Sequence, residues 1–152
     1  MIQMKNVYKK YPNGVVATNG ISVDIKQGEF VYVVGPSGAG KSTFIKLMYR
    51  EEKATSGEVI VNGINLTTIR NNAVPKFRRQ LGVVFQDFKL LPRLTVYENV
   101  AFALEVIEES PKIIRKRVMD VLELVGLSHK ARMFPNELSG GEQQRVSIAR
   151  SI

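Results

Sequence analysis

The sequence contains no cysteine, and it has no apolar run long enough to cross a membrane. The absence of cysteine excludes disulfides and thiolate metal sites, and a membrane-spanning helix needs about 20 mostly apolar residues. No secretory signal precedes the first strand-like segment, residues 1–8, so we expect a cytoplasmic protein. The remaining composition is that of an ordinary globular protein, with 44% hydrophobic and 24% charged residues in a length of 152.

Basic residues outnumber acidic ones, and the formal net charge is +8 at pH 7. They cluster at residues 112–117 and again at Arg78 and Arg79. Such clusters are typical of surfaces that bind nucleic acid or an anionic membrane. Because no nucleic-acid-reading motif accompanies them, we expect no specific nucleic-acid partner. We interpret the clusters as solvated helix faces, with a membrane surface as the second interpretation.

The pattern of apolar residues predicts a β-rich segment up to residue 86 and a helical segment after it. A tight turn is expected at Asn62 and Gly63. The continuously apolar runs at 30–34 and 82–85 have the character of buried strands. The predicted strands are Met4–Tyr8, Ile21–Ile25, Phe30–Val34, Glu58–Val61 and Gly82–Phe85.

Two helices are predicted between residues 95 and 126. Thr95 and Glu98 have the spacing of a capping box at the start of the first helix. Ser110 can cap the second helix, with Pro111 at its first position and Gly126 beyond its end. The apolar face of the first helix is formed by Val96, Val100, Leu104 and Ile107. The inward face of the second is formed by Ile114, Val118, Val121, Leu122 and Val125.

Residues 35–42, Gly-Pro-Ser-Gly-Ala-Gly-Lys-Ser, fit the phosphate-binding pattern G-x-x-x-x-G-K-[ST] at every fixed position. They lie between the predicted strand at 30–34 and a predicted helix at 43–49, which is the context the pattern needs. Glycines let successive backbone N–H groups point at phosphate oxygens, and the helix start adds further free N–H groups. Lys41 supplies a positive charge near the β- and γ-phosphates, and Ser42 is placed to bind Mg²⁺. The sequence therefore predicts a nucleoside triphosphate site.

A second anion site is predicted at residues 138–145, Leu-Ser-Gly-Gly-Glu-Gln-Gln-Arg. Ser139 and Glu142 have capping-box spacing, so a helix should begin here. Gly140 and Gly141 leave the start of that helix bare of side chains. Because a helix start presents unpaired N–H groups, a bare one next to a serine hydroxyl can bind an anion.

Together these motifs resemble those of the ATP-binding subunits of ABC transporters. Residues 35–43 look like the Walker A loop of that family, and residues 138–145 look like its signature motif. Gln86 matches the Q-loop glutamine, and Tyr11 matches the aromatic residue that stacks on adenine. The resemblance covers nearly the whole chain. It implies an α/β fold, a P-loop NTPase of the ABC type with an N-terminal antiparallel β subdomain and a helical insertion.

The resemblance also implies a head-to-tail homodimer with two ATP molecules between the subunits. ATP held by one subunit would be contacted by the signature motif of the other, so that hydrolysis releases the link between them. Ser42 and Gln86 would coordinate Mg²⁺. The implied ATP-binding residues are Tyr11, Gly35, Pro36, Ser37, Gly38, Ala39, Gly40, Lys41, Ser42, Thr43 and Gln86. The residues implied to contact ATP on the other subunit are Leu138, Ser139, Gly140, Gly141, Glu142 and Gln143.

The sequence departs from the family pattern after the signature motif. The family's Walker B strand, with its Mg²⁺-binding aspartate and catalytic glutamate, has no counterpart in residues 1–152, so no catalytic residue is assigned. His129 precedes the signature motif and cannot be the family's switch histidine. We therefore expect a chain truncated before Walker B, with little or no ATP hydrolysis and reduced stability. The implied parts are a nucleotide-binding core at 1–86, a helical subdomain at 87–138 and the signature motif with its helix at 139–152.

Within the family, the similarity is greatest to the ATP-binding proteins of cell division, over residues 35–45, 49–51, 82–92, 95–100 and 134–145. It implies an ATPase that acts with an integral membrane partner at the inner face of the plasma membrane during bacterial cell division. The subunits of lipoprotein-release and macrolide-export transporters share many of these residues and are the alternative. A soluble ABC protein of DNA repair or translation and a non-catalytic ATP-binding module also remain open.

Overall fold

The computed structural model describes residues 1–152. The chain divides into two compact units, residues 1–78 and residues 79–152, and each is described by itself. None of the helices combines the length and the apolar character that a membrane span requires.

The first unit contains a four-stranded antiparallel sheet and two helices. The strands are β1 (Ile2–Lys10), β2 (Val16–Ile25), β3 (Ser56–Val61) and β4 (Ile64–Asn65). The helices are α1 (Lys41–Met48) and α2 (Val74–Arg78), the latter preceded by a 3-10 turn at Asn71–Ala73. The sheet order is β2-β1-β3-β4, so β1 lies in the interior of the sheet. The core includes Met4, Val7, Val59 and Val61. Val59 and Val61 are alternate positions of β3, whereas Met4 and Val7 lie on either side of a register shift in the pairing of β1 with β2.

The predicted strands at 4–8, 21–25 and 58–61 are confirmed, and each lies within a longer strand. The predicted turn at Asn62 and Gly63 is also confirmed. These residues have φ values of 50° and 78° and join β3 to β4. A two-residue hairpin turn of this kind requires positive φ at both positions, which asparagine and glycine tolerate best.

Two predicted strands, Phe30–Val34 and Gly82–Phe85, were wrong: neither segment forms a strand in the structure. Phe30 is 81% exposed and Val34 is 86% exposed. An apolar run becomes a buried strand only when other strands hydrogen-bond along its edges. Neither segment belongs to the sheet of β1 to β4, so the apolar sequence alone does not produce the strand.

The second unit is helical, with α3 (Val96–Val106), α4 (Pro111–Leu124) and α5 (Gly140–Ser151). Short 3-10 turns at Ser128–Lys130 and Pro135–Glu137 connect α4 to α5. The three helices enclose one apolar core. Its buried residues are Val96, Val100, Ala101, Ile114, Val118, Leu122, Leu127, Leu138, Val146 and Ala149.

Helix α3 begins with the predicted capping box. The Thr95 side chain accepts the N–H of Glu98, and the Glu98 carboxylate accepts the N–H of Thr95 at 2.7 Å. Val96 and Val100 are buried as predicted, and Leu104 packs against the core. Ile107 was predicted on the same face but is 43% exposed, because α3 ends at Val106 and the periodicity ends with it.

Helix α4 begins at Pro111 as predicted, and Gly126 follows its end with φ of 72°. Ser110 occupies the capping position, but its side chain makes no capping hydrogen bond, so that part of the prediction was wrong. The fixed φ of Pro111 already favours a helix start without a side-chain cap. The predicted inward face is confirmed. Ile114, Val118 and Leu122 are buried, and Val121 and Val125 pack against the core.

Candidate nucleotide-binding site

The phosphate loop, residues 35–42, continues into α1, which begins at Lys41. Gly40 caps α1 in the left-handed conformation, with φ of 85° and no side-chain cap. A Cβ atom at Gly40 would collide with the backbone carbonyl oxygen of Ala17 in β2. Gly38 also has a positive φ, of 79°. Glycine at position 40 is therefore required by conformation and by space, and it leaves the first N–H groups of α1 open to an anion.

The Lys41 side chain folds back over the phosphate loop. Its Nζ donates to the carbonyl oxygens of Gly35, at 2.8 Å, and Pro36, at 2.7 Å. The ammonium group therefore lies at the mouth of the loop, where the helix dipole already favours negative charge. Ser42 is exposed at the start of α1, and the following Thr43 is buried. This arrangement provides a full positive charge, free N–H groups and an accessible hydroxyl within consecutive residues.

Tyr11 lies beside the same helix start. Its hydroxyl is 3.1 Å from the Thr43 Oγ1 atom. The Lys9 Nζ atom lies 4.9 Å from the centre of the Tyr11 ring and forms an ion pair with Glu52 at 2.7 Å. Lys9 is thus held over one ring face by electrostatic attraction to the ring and to Glu52. The structure brings Tyr11 next to the Walker A residues, and stacking of its ring on adenine remains a prediction.

The predicted capping box at the signature motif is present. The Ser139 side chain accepts the N–H of Glu142 at 3.4 Å. The Glu142 carboxylate accepts both the N–H and the hydroxyl of Ser139, each at 2.9 Å. Lys130 forms an ion pair with Glu142 at 2.7 Å. The Lys130 contact and the Ser139 hydrogen bonds lower the pKa of Glu142 from 4.5 to about 2. Glu142 is therefore ionised and holds Ser139 in place at neutral pH.

The start of α5 is open to solvent. Gly140 and Gly141 are exposed, and a Cβ atom added at Gly140 would meet nothing within 4 Å. The flanking residues are fixed, because Leu138 is buried and Gln143 donates from Nε2 to the Leu138 carbonyl at 3.2 Å. A rigid helix start with no side chain in front of it is suited to contact an anion carried by another surface.

Gln86 lies in the second unit, within a turn of residues 85–88. The Phe88 N–H donates to the Phe85 carbonyl at 3.1 Å, and Gln86 itself is exposed. We call residues 85–88 the Gln86 turn. The roles of Gln86 in Mg²⁺ coordination and of the other predicted site residues in ATP binding remain predictions.

Two residues next to the Gln86 turn were missed from the sequence. Arg150, near the end of α5, donates to the carbonyl oxygens of Phe88 and Lys89. Asn99 is completely buried in α3 and makes hydrogen bonds to the segment that follows the turn. A signal for Asn99 existed, since position 99 lies three residues after Val96 and therefore on the buried face of the helix. Arg150 carries no such signal, because its partners lie about 60 positions earlier.

Residues 18–152 match the family described as ABC transporter. The chain is 71% identical over its full length to the cell division ATP-binding protein FtsE of Bacillus subtilis, of which it covers 67%. It is 52% identical to FtsE of Mycobacterium tuberculosis and covers 66% of that protein. It is 46% identical to the methionine import ATP-binding protein MetN of Helicobacter acinonychis and covers 46% of that protein.

The fold matches a solved cassette. It is the dimeric, post-hydrolysis structure of the ATP-binding cassette MJ0796, bound to ADP and Pi. The alignment covers the whole of this chain and 69% of the MJ0796 chain. The TM-score is 0.92 at 40% identity. The predicted fold class is thereby confirmed, and the chain spans about two thirds of the length of the FtsE proteins it matches. The chain therefore belongs to the ABC transporter family and, within it, to the FtsE-like ATP-binding proteins.

Proposed function

We propose that this chain is the ATP-binding part of an FtsE-like ABC ATPase that acts in bacterial cell division. The observation that carries the proposal is the phosphate loop, where Lys41 and the bare start of α1 lie together. The identity to several proteins named as cell division ATP-binding proteins supports the biological role. The proposed membrane partner is an FtsX-like integral membrane protein, which would hold the complex at the inner face of the plasma membrane.

The proposed cofactors are ATP and Mg²⁺. Lys41 and the N–H groups of the phosphate loop would neutralise the phosphates, and the exposed Ser42 hydroxyl fits a Mg²⁺ ligand. Gln86 would complete the Mg²⁺ coordination. The Tyr11 ring has Lys9 on one face, and adenine would stack on the other.

The proposed assembly is a homodimer in which each ATP lies between two subunits. Lys41 supplies charge on one side, and the open start of α5, with Ser139 held by Glu142, contacts the γ-phosphate from the other. Neither anion site alone neutralises a triphosphate, so ATP would link the subunits and hydrolysis would release them. We assign no hydrolytic carboxylate within residues 1–152, because they contain no match to the family's Walker B pattern.

A transporter subunit is the second candidate function. The 46% identity to MetN, a methionine import ATP-binding protein, supports it, and the lipoprotein-release and macrolide-export subunits are related forms of the same proposal. Purification of the full-length protein with its membrane partner separates the two. A partner with a substrate path through the membrane favours transport, and one without such a path favours the cell-division role.

The direct test of the proposed site is titration of the full-length protein with a fluorescent ATP analogue and Mg²⁺. Lys41→Ala should weaken binding at least tenfold, because the loop then lacks its only full positive charge. Lys76→Ala, at an exposed position of α2, removes the same charge elsewhere and should change affinity less than twofold. Equal affinity for wild type and Lys41→Ala would contradict the proposal.

A further inference from the structure

The carboxylate of Glu142 lies beside the hydroxyl that the proposed function assigns to a phosphate. Its Oε2 atom accepts both the N–H and the hydroxyl of Ser139, each at 2.9 Å. A phosphate oxygen hydrogen-bonded to Ser139 would therefore lie within about 6 Å of a carboxylate oxygen. Like charges at this distance repel each other strongly where water is partly excluded. The bare start of α5 attracts an anion, and the charge of Glu142 opposes that attraction.

Lys130 pairs with the other oxygen of the same carboxylate. Its Nζ atom lies 2.7 Å from Oε1 of Glu142. Both side chains are partly buried, with exposed fractions of 24% for Lys130 and 17% for Glu142. Partly buried charges are screened less by dissolved salt than exposed ones. The ammonium and the carboxylate therefore cancel each other next to the start of α5, and the attraction of the helix start for an anion remains.

Helix capping does not require the lysine. In the capping box of α3, the Glu98 carboxylate accepts the N–H of Thr95 at 2.7 Å and its hydroxyl at 2.8 Å. Glu98 forms no ion pair, and α3 begins there nonetheless. The two boxes belong to the same unit and share the same hydrogen bonds. The ion pair with Lys130 is therefore additional to capping, and it is present at the helix start that is proposed to bind an anion.

The backbone at Lys130 is anchored to the apolar core of the second unit. Lys130 ends the 3-10 turn Ser128–Lys130, and its N–H donates to the carbonyl of the fully buried Leu127 at 2.9 Å. On the other side, the Lys130 carbonyl accepts the N–H of Met133 at 2.9 Å. The ammonium group thus reaches Glu142 from a fixed point of the chain.

Lys130 also allows Ser139 to change its hydrogen-bond partner. The Ser139 hydroxyl has one proton, which it donates to Glu142 in the structure. To donate to a phosphate, the hydroxyl must turn away from the carboxylate. Glu142 then keeps the Ser139 N–H on Oε2 and the Lys130 ammonium on Oε1, so neither oxygen loses its last partner.

We propose that Lys130 is a positioning residue of the signature motif, which neutralises Glu142 so that the start of α5 can accept the γ-phosphate of ATP bound to the other subunit. The inference rests on the proposed function, because that assembly supplies the phosphate. Lys130 acts through Glu142 and the Ser139 hydroxyl, and the phosphate loop is not involved.

The test measures dimerisation of the full-length protein by sedimentation, with Mg²⁺ and a non-hydrolysable ATP analogue. Lys130→Met removes the compensating charge but leaves the carboxylate, so it should weaken the dimer at least tenfold. Lys130→Arg keeps the charge and should stay within threefold of wild type. The control Lys26→Met breaks an exposed ion pair with Asp24 in the first unit, and it should change dimerisation less than twofold.

A double variant separates charge compensation from a purely structural role. Glutamine at position 142 can still accept the Ser139 N–H, so Glu142→Gln keeps the capping box but removes the negative charge. Adding Glu142→Gln to Lys130→Met should therefore tighten the dimer at least fivefold relative to Lys130→Met alone. If the ion pair only holds the fold together, both substitutions break the same contact, and the double variant dimerises no better than Lys130→Met.

Each outcome of the sedimentation experiment decides the inference. A Lys130→Met dimer within twofold of wild type, or no recovery in the double variant, would overturn the role of Lys130 and leave the proposed function standing. If Lys130→Met does not fold, Lys130→Gln, which is also uncharged, supplies the same comparison. Failure of the wild type to bind the analogue, or to dimerise once it is bound, would instead refute the proposed function and the role of Lys130 with it.

Discussion

Asn99 should be one of the most stability-critical polar residues of the second unit. Its side chain is completely buried in α3, and its carbonyl oxygen accepts the N–H of Leu91 at 2.8 Å. Its amide group donates to the carbonyl oxygens of Leu91, Leu94 and Thr95 at 2.9 to 3.0 Å. One side chain thus provides hydrogen-bond partners for backbone N–H and C=O groups of the segment between the Gln86 turn and α3. In a helix or a sheet, other backbone groups would be those partners.

The cost of Asn99→Ala follows from these contacts. The substitution removes the acceptor of the Leu91 N–H and a donor from each of three carbonyl groups. A buried polar group left without a partner costs about 1–3 kcal/mol, but Leu91 is only half-buried, so water would replace part of the loss. We expect a decrease of about 2–4 kcal/mol in the free energy of unfolding. Such a decrease is a large fraction of the roughly 5–15 kcal/mol that stabilises a typical domain.

Urea denaturation of the full-length protein measures this decrease, with Asn136→Ala as the matched control. Asn136 is exposed in a 3-10 turn, so the same chemical change there should cost less than about 0.5 kcal/mol. Asn99→Asp should be at least as destabilising as Asn99→Ala at pH 7, since a carboxylate would face three carbonyl oxygens. A decrease below about 1 kcal/mol for Asn99→Ala, or one equal to that of Asn136→Ala, would show that the Asn99 hydrogen bonds contribute little to stability.

Three further predictions concern the two anion sites. Gly40→Ala should abolish binding of the ATP analogue, because the added Cβ atom would collide with Ala17. Gly14→Ala, at a similar φ of 87° but in open space, should retain binding. Equal affinities of the two variants would show that the Ala17 contact is unimportant. Tyr11→Phe should bind the analogue within twofold of wild type and Tyr11→Ala on the order of tenfold more weakly, because the ring, not the hydroxyl, would stack on adenine. Because the pKa of Glu142 falls from 4.5 to about 2, its contribution to stability is present above pH 4.5 and is lost as the pH decreases towards 2. Glu142→Gln should flatten the pH dependence of the urea midpoint in that window, and an unchanged slope would contradict the assignment.

The features that could be predicted from the sequence are those whose chemistry is local. The capping boxes at Thr95 and Ser139, the turn at Asn62 and the start of α1 each depend on residues within a few positions of one another. Their side chains bond to backbone groups of the same short segment, so the order of residues is sufficient. The phosphate loop belongs to the same class, because its glycines determine its conformation.

The features that could not be predicted depend on partners far along the chain. The apolar run at Phe30–Val34 has the composition of a buried strand, but burial requires neighbouring strands, and composition does not supply them. The collision that makes Gly40 indispensable comes from Ala17 in β2, more than 20 positions earlier in the chain. In the sequence, nothing distinguishes Arg150 from other surface charges. Its hydrogen bonds to the carbonyl groups of Phe88 and Lys89 exist only in the folded chain.

We propose that two open helix starts, on different subunits, bind the same ATP. A crystal structure of the full-length protein with ATP and Mg²⁺, in a variant that does not hydrolyse it, tests this most directly. We predict a dimer in which the β- and γ-phosphates contact Lys41 of one subunit and the γ-phosphate contacts Ser139 of the other. ATP bound away from Lys41, or a dimer whose α5 helix starts face solvent, would contradict it.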